Sequence, residues 1–136
     1  MSSVHRDPEA IAIGTAALRL IRELAPSLVF ASLLTDDGFE LAHAPESTST
    51  DSGRFASMSS SVQALSEAVT RELAIGTSEY VVIASAQGHV VQMRVPGQEL
   101  ILAALFDTHE LLGKALSISK RSAEQLGTQL AAVSAH

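Results

Sequence analysis

Apolar residues recur along this chain with two different periods, and the longer one is clearest between Gly53 and Ile75. There Phe55, Met58, Val62, Leu65, Val69 and Leu73 follow one another at alternating steps of three and four, which gathers them on one side of a helix turning every ~3.6 residues. Such a stripe is expected to pack on the chain's own sheet. Beside it runs a second stripe of small residues, Ser57, Ser61, Ala64 and Ala68, over which another backbone can come close. The remaining face holds Ala56, Ser60, Gln63, Glu67, Thr70, Arg71 and Ala74, with Glu67 and Arg71 spaced for a weak i,i+4 pair. A helix this poor in charge reads as covered on more than one side. Either a second copy of the chain covers it, or it is the central helix of a monomer.

The same helical period appears at both ends. Asp7-Pro8-Glu9 combines a capping carboxylate, a proline tolerated at the first helical position and an acid at the positive end of the dipole. A helix is predicted from about Pro8 to Leu24, with Ile11, Ala17, Leu18, Leu20, Ile21 and Leu24 inward and Pro26 stopping it. At the other end Asp107 or Thr108 can cap a last helix, and Asp107 with Glu110 has capping-box spacing. Leu112, Leu116, Ala123, Leu126 and Leu130 form its expected inner face, Gly113 and Gly127 weaken it by about 1 kcal/mol each relative to Ala, and it is expected to fray toward His136.

Between the helices the period shortens to two. Leu28 to Thr35 is apolar on both alternating sets, as in a strand covered on both faces. Asp36-Asp37-Gly38 supplies a turn, and Phe39 to His43 returns as its hairpin partner. Ala44 to Ser52 lacks bulky apolar groups, apart from Pro45, and reads as a flexible, exposed loop open to modification. Gly76 is placed to cap the end of the middle helix. Three strands follow: Glu79 to Ser85, then Val90 to Val95 with Val91, Met93 and Val95 inward against Gln92 and Arg94 outward, then Leu100 to Phe106. The turns at Gln87-Gly88 and Pro96-Gly97 are tight enough to demand an antiparallel meander, and the continuous apolar run of the third strand belongs near the sheet centre.

Composition narrows the function. With 136 residues the chain is expected to form one domain spanning 1–136. Cysteine is absent, which excludes disulfides and thiolate chemistry and suits the cytosol. A formal charge of -6 with scattered basic residues argues against a nucleic-acid partner. The apolar run from Ala10 to Leu18 follows Asp7 and Glu9 and is cut by Arg19. It therefore resembles neither a signal peptide nor a membrane span of ~20 residues, and a soluble protein without direct membrane insertion is expected.

Candidate chemistry is sparse. No phosphate-binding glycine loop or nucleophile elbow occurs. His5, His43, His89, His109 and His136 never pair at helical ligand spacing, so neither metal nor cofactor is expected. Asp36, Asp37 and Glu40 are carboxylates at a hairpin tip, the wrong place for acid/base work. Ser57, Ser59, Ser60 and Ser61 lack a nearby base. No catalytic residue is assigned.

The element order, together with Ala31 to Ala42 including its Asp-Gly turn, the helix with Met58 to Leu65, and the pairing of Val81 to Ala84 with Leu100 to Phe106, resembles the roadblock family of dynein light-chain-like and bacterial GTPase-regulator proteins. The resemblance covers about Leu24 to Leu126. It implies an α+β, roadblock/profilin-like fold: a five-stranded antiparallel sheet with the middle helix on one face and the two terminal helices on the other. It further implies a homodimer in which middle helices lie side by side and edge strands, here Tyr80 to Ala84, join. The expected dimer interface is Ser57, Ser61, Ala64, Ala68, Val81 and Ile83. An apolar edge strand left unpaired would be an aggregation hazard. Bacterial members of the family look like non-catalytic partners of small Ras-like GTPases, so the implied function is a scaffold or regulator that binds such a GTPase and modulates its GTP hydrolysis. The alternative is a small-molecule sensor in which Phe30, Met93 and Phe106 line a cavity between sheet and helix.

Overall fold

The computed structural model describes residues 4–134. After a short 3-10 turn, Val4–Arg6, the elements are α1 (Pro8–Leu24), β1 (Leu28–Thr35), β2 (Glu40–Ala44), α2 (Ser52–Glu72), β3 (Val81–Ser85), β4 (Gly88–Arg94), β5 (Leu100–Phe106) and α3 (Leu112–Ser134). The strands form one antiparallel sheet in the order β2-β1-β5-β4-β3. β5 is the middle strand, as its unbroken apolar run requires.

Alternation along β1 and β5 sorts the core into two layers. Ala31, Leu33, Leu100, Leu102, Ala104 and Phe106 face α1 and α3, joined by Leu18, Ile21, Ala123, Leu126 and Leu130 from those helices. Leu34, Ile101 and Ala103 face the other way, toward Ala56 and Phe55 of α2. The sheet is thus α+β, with α2 on one face and the terminal helices on the other.

The α1 bounds agree with the capping pattern, and Asp7 Oδ1 accepts a hydrogen bond from Glu9 N at 3.0 Å. Its buried line is Ala10, Gly14, Leu18 and Ile21, however, and Leu20 and Leu24 stand exposed. The small residues win the inner positions because α1 lies close on the sheet. A Cβ at Gly14 would come within 2.9 Å of both Leu41 and Leu33.

The last helix starts later than its capping signal indicates. Asp107 to Glu110 form a turn instead: Asp107 Oδ1 accepts from His109 N at 2.8 Å, and Glu110 N bonds Asp107 O at 3.3 Å. Glu110 turns inward, where Ser27 Oγ donates to it at 2.6 Å. Leu112 consequently falls on the exposed part of α3, whose inner line includes Ala115, Ser119 and Ala123. Gly127 is a point of close approach, because a Cβ there would lie 2.5 Å from the carbonyl oxygen of Pro96. The expected fraying at His136 lies outside the described residues.

Candidate protein interface

The middle helix is rotated relative to its expected seating. Ala56, Ser59 and Gln63 are buried against the sheet. Met58, Leu65, Val69 and Leu73, expected inside, are 53%, 66%, 46% and 60% exposed. The reason lies on β4. Gln92 and Arg94 do point away from Val91 and Met93, but the face they share is the one α2 covers.

A polar strand face selects a polar helix face. Gln92 is 1% exposed and Gln63 2%. Gln92 Nε2 donates to the backbone carbonyl of Ser59 at 3.0 Å and to Gln63 Oε1 at 3.1 Å. Gln63 Nε2 then donates to Glu67 Oε2 at 3.1 Å. Arg94 holds both oxygens of Glu67, from Nε at 2.9 Å and Nη2 at 3.0 Å, and reaches Asp36 at the hairpin tip through Nη1 at 2.7 Å. Hydrogen bonding to Arg94 outweighs burial and holds the Glu67 carboxyl below its ordinary range, while the same pairing raises the Arg94 guanidinium. Glu67 is therefore committed to β4, and the simple i,i+4 pair with Arg71 is not its main contact. The chain of donors and acceptors was readable only as spacing: Ser59, Gln63 and Glu67 at steps of four, opposite Gln92 and Arg94 at a step of two.

Outward, α2 presents an apolar surface. Ser66, a rotational neighbour of Val62 and Val69, lies 3.1 Å from Ser78 Oγ just before β3. The bulky stripe therefore borders the β3 side. Ser57 borders the β1–β2 turn instead, its Cα 3.4 Å from where a Cβ on Gly38 would stand. The principal contacts of α2 are with β1, β2, β4 and β5, and β3 is the edge strand beyond them, with Ile83, Ala84 and Ser85 exposed. Val81 and Ile83 pair with Gln92 and Val90, so they share the α2 face of the sheet. Val81 is half-buried and Ile83 is 45% exposed. Among the other expected interface residues, Ser57, Ser61 and Ala64 are exposed and Ala68 is half-buried. Ile75 and Tyr80, on the connection to β3, add further exposed apolar surface. Each of these large side chains leaves about half its area in water, and covering them would contribute on the order of 1 kcal/mol apiece.

The candidate chemistry is otherwise engaged. Asp37 accepts from Thr35 Oγ1 at 2.6 Å, Glu40 contacts His43, and Ser60 and Ser61 donate to the carbonyl of Ser57 in their own helix. Among the described residues no group of three or more His, Asp or Glu is placed to hold a metal ion. The sensor cavity does not assemble either. Phe30 stacks edge-on against Phe55 of α2, whereas Met93 and Phe106 belong to the layer under α1 and α3. Residues on opposite faces of a sheet cannot line one cavity between sheet and helix. A cleft of about 310 Å³ does reach Met93, but its other walls are Glu79, Tyr80, Leu116, Ser117 and Lys120. No helix among the described residues is long and apolar enough to cross a membrane.

Comparison with known proteins gives the same architecture. A family model described as Roadblock/LC7 domain matches residues 22–106. Myxococcus xanthus MglB superposes with a TM-score of 0.82 at 16% identity, covering 90% of each chain. The gliding protein mglB of Thermus thermophilus gives 0.77 at 20% identity, over 88% of this chain and 89% of that one. A structure described as MglB with tetrameric arrangement gives 0.78 at 21% identity, covering 88% of each. No curated protein sequence matches the chain.

Proposed function

The chain belongs to the Roadblock/LC7 domain family, and from that membership we propose that it is a non-catalytic homodimeric scaffold or regulator of a small Ras-like GTPase. One observation carries the dimer: the exposed stripe of Met58, Leu65 and Val69 borders the open β3 strand. A second copy related by a two-fold axis presents the same stripe and the same strand, so the two surfaces cover each other and the two β3 edges pair into one sheet. Ser57, Ser61, Ala64 and Ala68 form the margin of this contact, with Val81 and Ile83 beneath it. The tetrameric arrangement recorded for a similar MglB supports self-association.

The role is binding rather than turnover, in a cytosolic setting. A paired sheet offers a wide, rigid platform, and a GTPase docked on it can be held in one conformation of its switch segments, which alters its hydrolysis without a residue being inserted. The test mixes purified protein with the Ras-like GTPase encoded beside its gene. Complex formation with a changed GTP hydrolysis rate is the expected result. Neither binding nor a change in rate would reject the regulatory role while leaving the dimer standing.

A further inference from the structure

His43 is the penultimate residue of β2, just before the chain leaves the sheet for the segment that ends at Asp51, the N-cap of α2. Its ring is held at both nitrogens. Nδ1 lies 2.5 Å from Glu40 Oε1, and Nε2 lies 3.2 Å from the backbone carbonyl of Glu46. A carbonyl only accepts, so Nε2 must carry a proton, and an ionised carboxylate also only accepts. Neutral imidazole has a single N–H and can serve one of the two. The imidazolium serves both.

We propose that His43 is a pH-dependent latch on residues 45–50, closed when the ring is protonated and released when it is neutral. The neighbours of the ring come from β2, the segment itself, α1 and β1. β2 contributes Glu40, which also accepts weakly from Ser32 Oγ of β1 at 3.5 Å. The segment contributes Glu46, whose carboxylate is ion-paired with Arg19 of α1. Arg22, also on α1, lines the same open cleft of about 430 Å³ with His43 and residues 44–47. From β1 the uncharged Phe30 stacks on the ring with centroids 5.7 Å apart, and Phe30 in turn meets Phe55 of α2 edge-on at 5.2 Å. A cation over an aromatic face gains a further attraction that a neutral ring lacks. The latch thus links the segment's carbonyl, the edge strand and the first turns of α2.

Burial opposes the charge on His43, but the bonds to Glu40 and to the Glu46 carbonyl outweigh it and raise the group above the ordinary 6.5. Stabilisation by a raised histidine is complete below the ordinary value and is lost as pH climbs through the raised one. Release is therefore expected on the alkaline side of 6.5.

The test is an NMR titration of the full chain from pH 5 to 8.5, following the His43 ring and the {1H}-15N NOE of the Ser47, Thr48 and Ser49 amides. The expected result is a fall in the NOE with rising pH, at the midpoint of the His43 titration. In Glu40→Gln both midpoints move to lower pH together, and in His43→Phe the NOE is low throughout. An NOE that stays constant while His43 titrates, or a segment midpoint that stays put in Glu40→Gln, overturns the latch. Should His43→Phe fail to fold, the Glu40→Gln comparison decides alone.

Discussion

Arg94 on β4 grips Glu67 on α2 with two parallel hydrogen bonds, Nε to Oε2 at 2.9 Å and Nη2 to Oε1 at 3.0 Å. This fork fixes which face of α2 meets the sheet, and so which face is left for a partner. Glu67→Gln should cost about 1–2 kcal/mol near neutral pH, between the limits for exposed and buried pairs. The sign with pH follows from the lowered Glu67 carboxyl: its contribution is present above the ordinary 4.5 and is lost as pH falls through the lower folded value. Urea unfolding should show the wild type ahead at pH 7 and the gap closing in acid.

Beneath that fork, Gln92 bonds both the backbone and a side chain of α2. Gln92→Leu should destabilise by about 1–3 kcal/mol, because it strands the Gln63 carbonyl in a buried site. The double variant Gln92→Leu/Gln63→Leu removes both polar partners and should recover part of that loss. Thermal unfolding of the three proteins measures the coupling.

Two glycines of α3 should respond in opposite directions. Gly127→Ala drives a Cβ to 2.5 Å from the Pro96 oxygen, an overpacking expected to cost about 1–3 kcal/mol. Gly113→Ala meets nothing within 4 Å and should stabilise by up to about 1 kcal/mol. Paired denaturation curves check both.

The regular elements were legible because their signals are local. Asp7-Pro8-Glu9 marked α1, the tight turns gave the β1–β2, β3–β4 and β4–β5 pairs, and the run Leu100–Phe106 marked the middle strand, whereas the expected pairing of Val81 to Ala84 with Leu100 to Phe106 does not form because β4 lies between them. The seating of α2 was illegible because it depends on a residue far along the chain. Nothing near Gln63 says that Gln92 will face it, so the bulkier stripe looked like the inner one. The false start of α3 has a similar cause: Glu110 has capping-box spacing from Asp107, yet it is drawn inward to Ser27, 83 residues earlier. At the candidate interface, the small residues on α2 were visible as a pattern, whereas the exposure of Met58, Leu65 and Val69 emerged only from packing.

That exposed stripe is tested most directly by sedimentation equilibrium of the wild type and Leu65→Arg. Leu65 is 66% exposed in the single chain, so the substitution leaves the protomer's core intact, and circular dichroism should show an unchanged fold. In a two-fold contact the charge would have to be desolvated twice, at a cost of several kcal/mol. The expected result is a wild-type mass of twice the 14.3 kDa protomer and a folded monomer for Leu65→Arg. A wild type that sediments as a monomer, or a Leu65→Arg variant that remains an equally tight dimer, would contradict the assignment of this face to a second copy.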